Sequence, residues 1–273
     1  PFSVIVSRSA PALVLPAQTA HVRNVTMPRM NVKQLLYNLP YEFSDSIKDN
    51  LKDYIFDYAM LTDLRREAMV PTMDLLAAAV PARALEDGRR ILHRAGMKMV
   101  KAAPAQSAYI ALIRIAESVR RGSGSREYSI LDLGSQAVRI HIFQGEQYRQ
   151  TQTLSLGLSA LDRALAEAYN IHENLAHTYL VTNHDDCQSR EACRDVYDSL
   201  AEETAEALGA YRAGHPDSQL SDIWLSGGGG EIAALRETMA NALEGIRTPM
   251  GVAVYDNILL EELQAQLPTD EQI

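Results

Sequence analysis

The chain has 273 residues, of which 47% are hydrophobic, a formal net charge of −9, and two cysteines, Cys187 and Cys193. That size suits one large domain or two small ones, and two cysteines exclude a disulfide scaffold and fit a reducing compartment. No apolar run approaches the roughly 18 residues that cross a bilayer, and the start lacks the basic-then-apolar pattern of a secretory signal, so a cytoplasmic protein without membrane insertion is expected; its acidic balance argues against nonspecific affinity for nucleic acid.

The charge is unevenly spread. Residues 1–101 carry 14 Lys and Arg against 10 Asp and Glu, and residues 102–273 carry 12 against 25. The first part is therefore the better candidate to face an acidic partner.

In chain order, residues 1–21 are apolar, proline-punctuated and left unassigned. An extended run from His21 to Met27 leads through Pro28 to a short helix from Asn31, whose side chain can cap it, to Leu39 before Pro40. A second helical piece is expected over about Tyr41–Leu51. Strands follow at about Asp53–Leu61 and Met73–Val80, then a helix over Pro81–Ala95 ended by Gly96, and an extended Met97–Ala102. These elements predict a two-layered small unit with four strands at about 22–28, 53–61, 72–80 and 97–102.

A helix over Ala105–Val119 runs into Arg120-Arg121-Gly122-Ser123-Gly124-Ser125, a stretch of linker composition. Next comes a three-stranded meander: the buried string Tyr128–Leu133, the alternating string Ala137–Phe143 with Val138, Ile140 and Ile142 on one face, and Tyr148–Leu156 closed by Gly157. Helices are expected at Ser159–Tyr169, Asn174–Val181 and Glu191–Arg212, with a polar loop over Thr182–Arg190. The strand Ile223–Leu225 then enters Gly227-Gly228-Gly229-Gly230 and the amphipathic Glu231–Leu243. Near the end, Leu260, Leu263 and Leu267 fall at helical spacing among acidic residues alone, which suits packing against the protein's own body.

Two of these stretches carry chemistry. In the turn Asp132-Leu133-Gly134-Ser135 a carboxylate can approach a phosphate-bound metal, the glycine admits backbone N–H groups to a phosphate, and the serine adds a hydroxyl. Gly227 to Gly230 let a ligand lie against bare backbone beside the positive end of a helix. Gly157 fits a strand-to-helix turn beside the same ligand. The bland alternative for each is a turn that merely requires glycine. His184, Asp185, Asp186, Cys187 and Cys193 match no standard zinc spacing, and the histidines, His141, His172 and His177 among them, read as surface or structural residues.

The order of these parts resembles the PilM family of type IV pilus assembly proteins and, more distantly, FtsA. The resemblance runs from about Val22 to Leu243 and rests on Val25-Thr26-Met27-Pro28-Arg29-Met30, Leu39-Pro40-Tyr41-Glu42-Phe43, Asp57-Tyr58 closing a strand, Arg94-Ala95-Gly96-Met97, Leu131-Asp132-Leu133-Gly134-Ser135 and Leu225-Ser226-Gly227-Gly228-Gly229. It implies an α/β, actin-like (RNase H-like) fold with a small α+β subdomain inserted at about 22–103 and an actin-like core at 104–273. It also implies ATP and Mg2+ as ligands of Asp132, Gly134, Ser135, Gly157, Gly227, Gly228, Gly229 and Gly230. The expected partners are the N-terminal cytoplasmic peptide of a PilN-like membrane protein and other pilus assembly proteins.

Three departures shape the expected chemistry. Family members begin with a first phosphate hairpin, and no such motif precedes Val22. They tend to carry a lysine in the stretch that corresponds to Glu173–Tyr179, which has none. Their closing strand and helix are not evident beyond Thr248. Nucleotide turnover is therefore expected to be weak or nil. An adaptor that holds a peptide in a groove between subdomain and core, walled by Val22–Pro28 and Met73–Val80, is the leading expectation. A small-molecule kinase of the same superfold would need a general base that cannot be identified, and an FtsA-like filament former would carry a basic membrane helix.

Overall fold

A computed structural model describes residues 12–65, 71–120, 127–145, 147–244 and 251–254. The chain divides into two compact units, Pro1–Ile115 with Glu146–Arg149, and Ala116–Gly145 with Gln150–Ile273. Residues 121–125 of the expected linker, the leucine-spaced segment 257–267 and residues 1–11 lie outside the described residues.

The first unit opens with strand β1 (Ala12–Leu15) and β2 (His21–Pro28). Helix α1 (Val32–Asn38) follows, begun by a reciprocal capping box in which the Asn31 side chain accepts from the Gln34 N–H and the Gln34 side chain accepts from the Asn31 N–H. The expected helix over 41–51 is instead two 3-10 turns, Leu39–Phe43 and Leu51–Asp53. The serines explain the break: Ser44 Oγ donates to the Tyr41 carbonyl and Ser46 Oγ to that of Phe43, so side chains take acceptors that a continuing helix would use.

Strands β3 (Tyr54–Arg65) and β4 (Thr72–Pro81) complete an antiparallel sheet in the order β2-β4-β3. Asp57-Tyr58 does not close a strand: β3 continues to Arg65, with register shifts between Met60 and Thr62 and between Asp63 and Arg65, because β4 offers a partner as far as Thr72. One face of this sheet is the core against α1 and the first 3-10 turn, where Val25, Met27, Leu75 and Ala77 meet Leu35, Leu39 and Phe43.

Helix α2 (Ala82–Arg94) comes next, and its end is turned by Gly96 at φ +74°. The expected fourth strand is not part of the sheet. Only β5 (Lys101–Pro104) is a strand there, and it pairs in parallel with β1, so the unassigned N-terminal stretch supplies half of a separate two-stranded sheet. Its Leu13 packs against a glycine inside a helix: a Cβ on Gly88 would meet Leu13 Cδ2 at 2.3 Å, so a side chain there would displace the end of Leu13. Helix α3 spans Ala105–Arg120.

The second unit is built on a five-stranded sheet. Its strands are β6 (Glu127–Leu133), β7 (Val138–Gln144), β8 (Gln147–Thr153), β9 (Leu220–Ser226) and β10 (Gly251–Val254), in the order β10-β9-β6-β7-β8. β6 pairs antiparallel with β7, while β9 runs parallel to both β6 and β10. The expectation that no closing strand follows Thr248 is thus corrected by β10, a four-residue element too short for its period to stand out in sequence.

Helices α4 (Ser159–Tyr169), α5 (Glu173–Thr182), α6 (Glu191–Gly214) and α7 (Ala233–Glu244) supply the apolar partners for the sheet. Leu131, Leu133, Val138, Ile140 and Leu225 pack with Leu161, Leu165, Leu200, Leu208 and Met239. The polar stretch 182–190 is not plain loop but holds a 3-10 segment, His184–Ser189, that sends Cys187 into this core. Glu127, though 7% exposed, is satisfied: it accepts from the Gln219 N–H at 2.8 Å and from the hydroxyls of Ser218 and Tyr211, tying the start of β6 to the end of α6 and the approach to β9.

Candidate functional site

The chemistry-bearing residues of the sequence meet at one end of the second unit's sheet. β6 ends at Leu133, and the Gly134 N–H donates back to the Asp132 carbonyl at 2.9 Å, a tight turn that leaves Ser135 and Gln136 exposed. The segment after β8 runs along this turn. Leu158 N donates to the Gly134 carbonyl at 3.0 Å and Ser159 N to that of Ser135 at 2.8 Å, just where α4 begins. A Cβ on Gly157 would lie 2.4 Å from the Ala137 nitrogen and 2.5 Å from the Ser135 carbonyl oxygen, so two backbones touch here and only glycine fits.

The glycine string joins from β9, whose Ser226 stands in register with Asp132. Gly227 has φ +86°, a conformation that L side chains rarely adopt, and a Cβ on it would lie 2.8 Å from the Leu133 carbonyl oxygen. A Cβ on Gly229 would meet Leu158 at 2.7 Å and Leu133 at 2.9 Å. Gly228 differs: it is exposed and has open space around it. Gly230 lies in the 3-10 turn Gly228–Glu231, where its carbonyl accepts from Arg236 Nη1 at 3.0 Å and so anchors α7.

The structure therefore sorts the eight predicted residues. Asp132, Gly134, Ser135 and Gly157 share the first turn, and Gly227 and Gly229 press against Leu133. Gly134, Gly157, Gly227 and Gly229 answer to close packing within the chain, a Cβ on Gly134 being excluded by the Ala137 carbonyl oxygen at 2.8 Å. Ser135 and Gly228 are exposed, Asp132 is half-buried, and Gly230 anchors α7 through Arg236.

Electrostatics at this end depend on a residue that the sequence reading passed over. Arg139 is the register partner of Asp132 on β7, 6% exposed, with Nη1 donating to the Ala137 carbonyl at 3.4 Å. Burial pushes the Asp132 carboxyl above the ordinary carboxylate range, and the Arg139 charge only partly opposes it. His141 follows two residues later on the same face of β7, fully buried, with Nδ1 2.7 Å from the Thr151 hydroxyl; burial first and Arg139 second lower its pKa to about 4. The signal was present in the alternation: if Val138, Ile140 and Ile142 line one face, Arg139 and His141 must share the other.

Ser135 offers a hydroxyl, and the turn and Gly228 expose backbone. Asp132 brings one carboxylate, whose charge the Arg139 guanidinium partly favours against burial. Elsewhere in the unit, Cys187 Sγ donates to the Tyr179 carbonyl at 3.2 Å, and burial raises the Cys193 thiol to about 11, so neither is a ready thiolate. Among the described residues no group of three or more His, Cys, Asp or Glu could hold a metal ion, and no helix is long and apolar enough to cross a membrane.

An α/β sheet flanked by helices, with a carboxylate turn and a glycine turn at adjacent strand ends, is the fold class expected of the PilM family. The family profile described as "Type IV pilus assembly protein PilM" matches residues 4–263, and the chain belongs to that family. Among solved structures, the chain is similar to one titled "PilM-PilN type IV pilus biogenesis complex", with a TM-score of 0.70 and 20% identity over 94% of this chain and 79% of that one. The ethanolamine utilization protein EutJ from Carboxydothermus hydrogenoformans follows at a TM-score of 0.48 and 18% identity, over 65% of this chain and 58% of its own. Ta0583, an archaeal actin homolog, has a TM-score of 0.41 and 14% identity, over 54% and 49%. No curated protein matches the sequence.

Proposed function

We propose that this chain is a cytoplasmic adaptor of type IV pilus assembly that binds the N-terminal cytoplasmic peptide of a PilN-like membrane protein and is held at the membrane through it. The observation that carries this reading is the likeness, over 94% of the chain, to a structure whose title pairs PilM with PilN. In this reading residues 22–103 form the inserted subdomain and carry the docking edge. β2 pairs on one side only among the described residues, so its outer edge can accept an extended peptide by strand addition. Met73–Val80, expected as a second wall, is the central strand β4, with both edges already paired, so it offers no edge for strand addition.

Nucleotide is secondary in this reading. Asp132, Ser135 and Gly228 would line a phosphate, which ATP supplies when bound, and turnover is expected to be weak or nil. Calorimetric titration of the purified protein with the tail peptide, with and without Mg-ATP, tests the proposal. Peptide binding in the absence of nucleotide is the expected result. Failure of the peptide to bind in either condition, or ATP hydrolysis abolished by Asp132→Ala, would overturn it in favour of an enzyme or filament.

A further inference from the structure

The excess of positive charge in the first hundred residues has a definite address. Residues 1–82 carry equal numbers of basic and acidic side chains, while residues 83–101 carry six Lys and Arg against two acids, Glu86 and Asp87. This stretch is α2 and the segment that follows it, and it encloses a recess of about 850 Å3 lined by Arg89, Arg90, His93, Met97, Lys98, Met99 and the single acid Glu86. Only part of the charge is used internally: Asp87 pairs with Arg90 at 3.1 Å and lies 3.9 Å from Arg83, whereas Arg89, Arg94 and Lys98 have no ion pair among the described residues. Apolar surface flanks the cations. Ile91 is 49% and Val100 64% exposed, and Met97 and Met99 are half-buried in the lining.

We propose that this recess is a docking site for an acidic peptide segment of a partner protein, one that alternates carboxylates with apolar side chains. Charge complementarity carries the proposal: unpaired guanidinium and ammonium groups sit beside flexible methionines, a lining that receives both halves of such a segment. Extended polyanions are disfavoured by the rest of the molecule. A duplex or an anionic leaflet meets the field of a chain with net charge −9, while a short segment confined to the recess meets mainly its local positive field. The site lies on α2 and not on the β2 edge, so it does not depend on the tail-binding reading.

The test is fluorescence anisotropy of the full chain with a short labelled peptide alternating glutamate and leucine. The double variant Arg89→Glu/Lys98→Glu should weaken binding about tenfold or more, the neutral pair Arg89→Gln/Lys98→Gln should weaken it less, and Lys48→Glu, elsewhere in the same unit, should leave it unchanged. All three should retain wild-type circular dichroism and unaltered affinity for the PilN-like tail. No peptide binding, equal loss in the Lys48 variant, or tighter binding to vesicles of phosphatidylcholine with phosphatidylserine or to labelled oligothymidylate would overturn the proposal.

Discussion

The two sheets of this protein bury themselves differently. In the second unit β6 and β7 are buried along nearly their whole length, the behaviour of central strands covered on both faces. In the first unit β2 alternates, with Val25 and Met27 buried and Asn24, Thr26 and Pro28 exposed, and each outer strand of the three keeps an open edge among the described residues. A sheet closed on both faces suits a scaffold, and one with an open edge and a basic flank suits docking. Sequence similarity alone draws no such line.

The largest expected effect tests whether the docking unit depends on its own core. Phe43 is fully buried at the end of the first 3-10 turn, 5.7 Å between ring centroids from Phe56. Phe43→Ala should cost about 4 kcal/mol. If the two units melt separately, calorimetry should show one transition shifted and the other in place; a uniform shift would mean that they unfold as one.

The next effect belongs to the scaffold and is read from pH. His141 has its pKa lowered from 6.5 to about 4 in the folded state, so the unfolded chain binds the extra proton first. Its contribution is therefore intact above pH 6.5 and is lost as pH falls toward 4, a loss of about 3 kcal/mol. Asp132, with its carboxyl raised by burial, has the opposite sign at lower pH, since the folded state then holds its proton more tightly. Urea melts across that range should show the histidine slope in the wild type and not in His141→Asn.

Gly157→Ala comes third, at about 2 to 3 kcal/mol, because the new methyl would strike backbone atoms of residues 135–137 that cannot withdraw independently. The denaturation midpoint measures it.

How much of this was legible follows from period and punctuation. The α4 boundaries, Ser159–Tyr169, were readable because an Ala and Leu face repeats at helical spacing and Asn170 stops it in the left-handed conformation. The Asn31 cap was readable from one side chain before an apolar run. β1 and β10 were not, since four residues carry no measurable period and their role is set by a distant partner. At the candidate site the residue types were readable but not their division of labour. Four consecutive glycines look alike in sequence, and only the approach of Leu133 separates Gly227 and Gly229 from Gly228.

Below these lies the helix cap. Asn31→Ala removes the side-chain half of the reciprocal cap on α1, leaving the backbone N–H of residue 31 to donate to the Gln34 side chain, and should cost about 1 kcal/mol. The effect should be confined to the first unit, where hydrogen exchange over α1 would report it.

The smallest effect is the most useful for function. Gly228 is exposed, its φ is not in the left-handed region, and a methyl there would meet no atom within 4 Å. Gly228→Ala should therefore change stability by no more than about 0.5 kcal/mol, in contrast to Gly227→Ala, which must adopt a positive φ against the Leu133 carbonyl. That contrast separates packing from binding at adjacent positions. If Gly228→Ala leaves the melting curve in place yet alters the calorimetric response to phosphate or ATP, the open glycine faces a ligand; if both curves are unchanged, the string is there for the close approach of β6 and β9 alone.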